Sequence, residues 1–196
     1  MSQEQTIASD WHDPSNPQLQ VLTGGPGSGK TTLLTALKKE GFEVMPESGR
    51  AIIQAEVEQC GSALPWADRA AFADRMFECD VASWHKARDS RGHVFFDRGL
   101  PDIVGYLRLC GLPVPGRIME APSRLRYHSV VFIAPPWPEI FEHDRERKQS
   151  WDEAEATWRA MVDVYEEFGY TLIHLPKTPI ADRVRFVLNQ VGTRRD

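Results

Sequence analysis

GGPGSGKTT, Gly24 to Thr32, is the stretch that decides the fold. It fits the spacing G-x-x-x-x-G-K-[ST], with Gly24, Gly29, Lys30 and Thr31 at the four fixed places. A glycine-rich loop of this spacing can turn its backbone N–H groups inward around phosphate oxygens. Gly25, Gly27 and Gly29 tolerate positive φ and a close backbone approach. Lys30 offers a cation to the outer phosphates and Thr31 a hydroxyl to Mg²⁺. The flanks agree: Leu19, Val21 and Leu22 read as a strand, and Leu33, Leu34 and Leu37 recur at helical spacing. The loop therefore joins a strand to a helix, whose N-terminus adds partial positive charge. Gly24, Gly25, Gly27, Ser28, Gly29, Lys30, Thr31 and Thr32 form the expected set for binding a nucleoside triphosphate.

Working outward, strand-like runs alternate with helical patterns along the chain. That rhythm predicts an α/β fold in three layers, a mostly parallel five-stranded sheet with helices on both faces. The strands are expected at the run before the loop, at Phe42–Met45, His93–Asp97, Ser129–Ala134 and Tyr170–Leu175. Helices are expected after the loop up to Gly41, over Arg50–Gln59, through a long segment carrying Ala73, Phe77, Val81 and Trp84, and over Pro101–Leu109 before Gly111. Ser150 and Glu153 form a capping-box pattern opening a helix with Ala154, Trp158, Met161, Tyr165 and Phe168 on one stripe. Ile180, Val184, Val187 and Val191 mark the last. One domain over 18–192 is expected, with a loose segment at 1–17 and a tail at 193–196.

With 196 residues, 41% of them hydrophobic, the chain can bury a substantial core as one domain. A formal net charge of −5 argues against broad nucleic-acid binding, which needs a basic face. No apolar run approaches the roughly 18 residues of a membrane span, and the N-terminus lacks a basic region followed by an apolar one, so a cytoplasmic location is expected. Cys60, Cys79 and Cys110 are odd in number and far apart, which fits neither a disulfide framework nor a zinc site; buried or idle thiols are expected.

In such sheets ligands gather beyond the carboxyl ends of the strands. Three strand ends carry polar residues: the loop itself, Glu47 and Arg50 in MPESGR, and Asp97 and Arg98 in FFDRG. Asp97, ending an apolar strand, is the expected metal-holding acid beside Thr31. Glu47 could take the proton of an incoming hydroxyl, or favour a helix start. Arg50 could pair with Glu47 or touch a phosphate. Asp102 is expected to meet the dipole of the helix it begins rather than to bind substrate. Glu142 to Lys148, with Asp144, Arg145, Arg147 and Lys148, could form a lid within 137–150 whose arginines close on the transferring phosphoryl group.

These stretches, GGPGSGKTTL, ESGRAII at Glu47–Ile53, FFDRGLPD at Phe95–Asp102, Asp144 to Arg147 and GYTLIHLP, resemble the small bacterial AAA-family ATPases built as one P-loop kinase-like domain. More distantly the chain is similar to deoxynucleoside kinases and nicotinamide riboside kinases. The resemblance implies Glu47 as base and Arg145 and Arg147 as phosphate-gripping lid residues. Two departures point away from AAA+ motors: Arg98, not Glu, follows Asp97, and the chain has no room for a helical C-terminal lid domain. No N-K-x-D guanine-reading motif is evident, so ATP is the expected nucleotide.

Together these residues lead to an expected ATP- and Mg²⁺-dependent kinase acting on a hydroxyl-bearing small molecule of unknown identity. Lys30, Glu47, Asp97, Arg98, Arg145 and Arg147 are its expected catalytic residues, and Thr31 and Asp97 its metal ligands. A nucleotide-dependent ATPase or GTPase switch, with a protein or lipid partner, is the alternative.

Overall fold

The computed structural model describes residues 16, 18–141 and 150–192. Five strands form one sheet: β1 (Leu19–Gly24), β2 (Glu43–Met45), β3 (Val94–Asp97), β4 (Val130–Ala134) and β5 (Thr171–His174). All pairings are parallel, in the order β2-β3-β1-β4-β5. The helices are α1 (Lys30–Lys39), α2 (Ser48–Glu58), α3 (Arg69–Ala87), α4 (Leu100–Leu109), α5 (Gly116–Arg124), α6 (Trp151–Glu167) and α7 (Ile180–Gln190).

A parallel sheet needs cover on both faces, which is why its strands read as continuous apolar runs. Alternation still sorts the side chains. Leu19, Val21, Val94, Phe96, Val131 and Ile133 face one way and join the core built with α3, α4, α5 and α6. Leu22, Phe95, Phe132 and Ala134 face the other way, against Leu33, Leu34 and Leu37 of α1 and Val187 of α7. β1 lies centrally, and all six of its residues are buried. It pairs with β3 on one side and β4 on the other, and the strand order reverses across it, so the crevice at the carboxyl end of β1 is the natural binding place.

Most sequence expectations hold within a residue or two. Gly41, Gly111 and Gly169 follow their helices with positive φ, as expected of C-terminal caps. The box at α6 forms: Ser150 Oγ accepts the Glu153 N–H at 3.2 Å and Glu153 Oε2 the Ser150 N–H at 2.6 Å. Two points differ. Helix α5 has no expected counterpart, because Pro115 at its cap and Pro122 inside it mask a segment held by buried Ile118 and Ala121. Ile180 opens α7 exposed rather than inward. Of the thiols expected to be buried or idle, Cys60 and Cys79 are exposed, and all three cysteines are free. Among the described residues no helix is long and apolar enough to cross a membrane.

Candidate functional site

The phosphate loop follows β1 directly and ends in α1. Gly27 and Gly29 take φ of 67° and 78°. Gly25 does not; at this position it is the expected close backbone approach that requires glycine, because a Cβ would sit 2.4 Å from the Ala154 carbonyl oxygen of α6. The outer side of the loop is covered by the connection after β4. A Cβ on Gly27 would meet the Phe141 ring at 2.6 Å, and one on Gly29 would meet Arg183 Nη1 at 2.7 Å and Ile140 Cδ1 at 3.0 Å.

Lys30 curls back into the loop. Its Nζ donates to Gly25 O at 2.6 Å, Gly24 O at 3.1 Å and Ser28 Oγ at 3.3 Å. Ser28 Oγ in turn donates to Gly25 O at 2.7 Å. Burial, reinforced by the nearby Arg98 charge, lowers the Lys30 ammonium to about 7, against the opposing pull of Asp97, Glu47 and Asp102.

The sheet register places Asp97 level with Leu22, immediately beside the start of the loop. Its Oδ1 is buried without a hydrogen-bond partner. Burial pushes this carboxyl upward, with Glu47 and Asp102 adding and Lys30 and Arg98 opposing. An orphaned buried oxygen beside a lysine and a threonine hydroxyl suits a hard cation. A cleft of about 190 Å³ opens here, lined among others by Thr31, Pro46, Glu47, Arg50 and Asp97. Among the described residues no group of three His, Cys, Asp or Glu side chains could hold a metal alone. Thr31 and Asp97 are therefore the protein donors that would suit a Mg²⁺ taking its remaining oxygen ligands from elsewhere.

Arg98 follows Asp97 with φ of 74°, a left-handed conformation uncommon for a non-glycine residue. The turn aims its guanidinium sideways into two carboxylates: Nε donates to Glu47 Oε1 at 3.2 Å and Nη1 to Asp102 Oδ1 at 2.9 Å. Both Arg98 and Glu47 side chains are only 17% exposed. Burial opposes the charge on Arg98, but Glu47, Asp102 and Asp97 outweigh it and hold its pKa above the ordinary value.

Asp102 does more than meet a helix dipole. It accepts the Gly99 N–H at 3.0 Å, as a residue in the first turn of α4 should, yet it also accepts Thr23 Oγ1 at 2.6 Å and Tyr165 Oη at 2.7 Å. One buried carboxylate thus ties together β1, the β3–α4 turn and α6. Asp80 on α3 is a second unforeseen acid. It lies half-buried on the helix face that carries Phe72 and Met76, both of which pack on Gly49 of α2. Burial raises its carboxyl to about 7; a hydrogen bond from Ser48 opposes this, whereas Asp102 and Glu47 add to it.

The structure therefore brings Lys30, Thr31, Glu47, Asp97 and Arg98 to one crevice, with Arg50 on its wall. Arg145 and Arg147 lie outside the described residues, as do Asp144 and Lys148. Asp80, Tyr165 and Arg183 escape sequence reading because each sits on an amphipathic helix among core residues. The one available signal is at Asp80, where a carboxylate continues the Phe72–Met76 spacing.

A parallel 2-3-1-4-5 sheet with a Gly24–Thr31 loop at its switch point defines a P-loop domain of the kinase-like type. The chain belongs to the AAA domain family, whose sequence pattern matches residues 19–183. Among curated protein sequences none matches it. Among solved structures it is similar to a deoxyadenosine kinase from M. mycoides with bound dCMP and dCDP, at 14% identity and TM-score 0.60, covering 90% of this chain and 100% of that one. It is similar to the NadR protein in complex with NR at 17% identity and TM-score 0.67, covering 91% of this chain and 53% of that one, so it spans about half the length of NadR. YorR from Bacillus subtilis, in complex with phosphorylated GDP, matches at 13% identity and TM-score 0.56, covering 89% and 95%. Likenesses at these identities speak to the fold.

Proposed function

We propose that the domain is an ATP-dependent small-molecule kinase that passes the γ-phosphoryl group to a hydroxyl acceptor. The carrying observation is the position of Glu47: its carboxylate lines the same cleft as Thr31 and Asp97 while its Oε1 is anchored by Arg98. A base needs that combination of reach toward the phosphate loop and a fixed orientation.

In this reading the loop N–H groups and Lys30 hold the β- and γ-phosphates. Lys30 leaves its contacts with Gly24, Gly25 and Ser28 and gains a full charge beside the phosphates. Mg²⁺, bound with the nucleotide at Thr31 and Asp97, would neutralise charge on the phosphate oxygens. The acceptor hydroxyl lies against Glu47. Its oxygen forms the new bond to the γ-phosphorus, its proton passes to Glu47, and the bond from that phosphorus to the bridging oxygen breaks to release ADP. Arg98, held by Asp102, keeps Glu47 oriented and supplies positive charge near the transferring group. Arg145 and Arg147 are proposed to close over it from the 137–150 segment. A nucleoside-like acceptor accords with the proteins of similar fold, which bind nucleosides and nucleotides.

The test follows labelled γ-phosphate across a panel of nucleosides and vitamin precursors. Product above the water background is expected with at least one acceptor, and none with any acceptor counts against a kinase. Glu47→Gln should bind ATP as the wild type does while transfer falls by about 10²-fold or more.

A further inference from the structure

Arg183 is a charge the site so far leaves unused. It lies on the first turns of α7 and is only 3% exposed, a degree of burial that arginine reaches almost only when paired. Its partners are few. Nη1 and Nη2 each lie 3.4 Å from the Ser28 carbonyl oxygen, the guanidinium stands 5.7 Å from the centre of the Trp137 ring, and Nε has no partner at all. Among the described residues no carboxylate pairs with it. Burial lowers its pKa from the ordinary value. Leaving a desolvated cation uncompensated is costly in proteins generally, so a function for it is expected.

Its location says what supplies the missing charge. The guanidinium presses on the outside of the phosphate loop at Ser28–Gly29, where a Cβ would come within 2.7 Å of Nη1. The glycine at position 29 therefore serves two ends, its φ of 78° and room for this arginine. Donating to the Ser28 carbonyl from outside polarises the Ser28–Gly29 peptide and holds its oxygen outward. The N–H of the same peptide is then turned toward the loop interior, where phosphate oxygens bind.

Resting on the nucleotide reading of the loop, we propose that Arg183 is a positioning residue for polyphosphate: it orients the Ser28–Gly29 peptide, and the bound phosphates supply its counter-charge through the thin loop wall. In the unliganded protein the arginine is then a liability. Binding relieves it, so affinity and unliganded stability respond to Arg183 in opposite directions.

The experiment measures binding of the non-hydrolysable analogue AMP-PNP with Mg²⁺, and of adenosine, to wild type, Arg183→Met, Arg183→Gln and Arg183→Lys by calorimetry, alongside unliganded thermal midpoints. AMP-PNP should bind Arg183→Met and Arg183→Gln about tenfold or more weakly, the loss typical of one charge-assisted contact. Adenosine affinity should be unchanged, the unliganded midpoints should stay level or rise, and Arg183→Lys should keep most of the affinity. A plain structural brace would do the reverse: lower midpoints with AMP-PNP affinity intact, which overturns the proposal. So does equal weakening of adenosine and AMP-PNP. Should wild type itself bind no AMP-PNP, the nucleotide reading falls, and this inference with it.

Discussion

Asp80→Asn tests the electrostatics of the acidic surroundings that Asp80 shares with Asp102 and Glu47. Burial raises the Asp80 carboxyl, Asp102 and Glu47 add to this, and the Ser48 hydroxyl and Arg98 offset it. Moving a carboxyl from 3.8 to about 7 sets a ceiling of about 4 kcal/mol, at about 1.4 kcal/mol per pH unit. Asp80 retains partial solvent contact, so screening reduces this to about 1–2 kcal/mol. The sign follows from proton counting. Between pH 4 and 7 the folded protein holds a proton that the unfolded chain has released, so the Asp80 contribution to stability declines as pH rises through that window. Above pH 7 the folded state carries the full cost of a crowded anion. Asparagine keeps an oxygen for Ser48 and removes the charge. Urea denaturation at pH 5, 6, 7 and 8 should find Asp80→Asn more stable than wild type by about 1–2 kcal/mol at pH 8, with the gap closing toward pH 5. A variant less stable at pH 8, or a gap that ignores pH, refutes the reasoning.

Asp102→Asn breaks the junction of Thr23, Arg98, Gly99 and Tyr165; stability should fall by about 2–4 kcal/mol in urea melts, and phosphoryl transfer should fall with it because Arg98 loses its anchor. Tyr165→Phe leaves Asp102 Oδ2 one hydrogen bond short and should cost about 1–2 kcal/mol, measured the same way. Gly25→Ala drives a methyl group to 2.4 Å from Ala154 O, so calorimetry should detect AMP-PNP binding weakened by about tenfold or more as the loop shifts. Affinity equal to wild type would mean that the loop and α6 separate at little cost.

The α/β class, the five strands and most helix limits were legible because apolar periodicity and the Gly24–Thr31 spacing are local properties. A parallel strand buried on both faces reads as VVFIA in any context, and a helix stripe such as Ala154, Trp158, Met161 and Tyr165 keeps its period whatever it packs on. Helix α5 was not legible, since Pro115 and Pro122 spoil the local pattern while Ile118 and Ala121 are held by contacts distant in sequence. For the site, the strand-end rule found Glu47, Asp97 and Arg98, because strand ends are marked in sequence. It could not find that Arg98 bridges Glu47 and Asp102, a geometry created by a left-handed turn and by two helices meeting β3.

Read alone, the amino-acid order sets out a loop of phosphate-binding spacing, the strand and helix on either side of it, and the acids and arginines at the ends of β2 and β3. How those groups are tuned follows from packing. Asp102 became a junction because α4, α6 and β1 converge on it, the Asp80 carboxyl was raised because packing of α3 buries it near Asp102 and Glu47, and Arg183 reached Ser28 across 155 residues of chain. Charge and pKa depend on distance and burial, and both are set by packing between segments that the sequence keeps far apart.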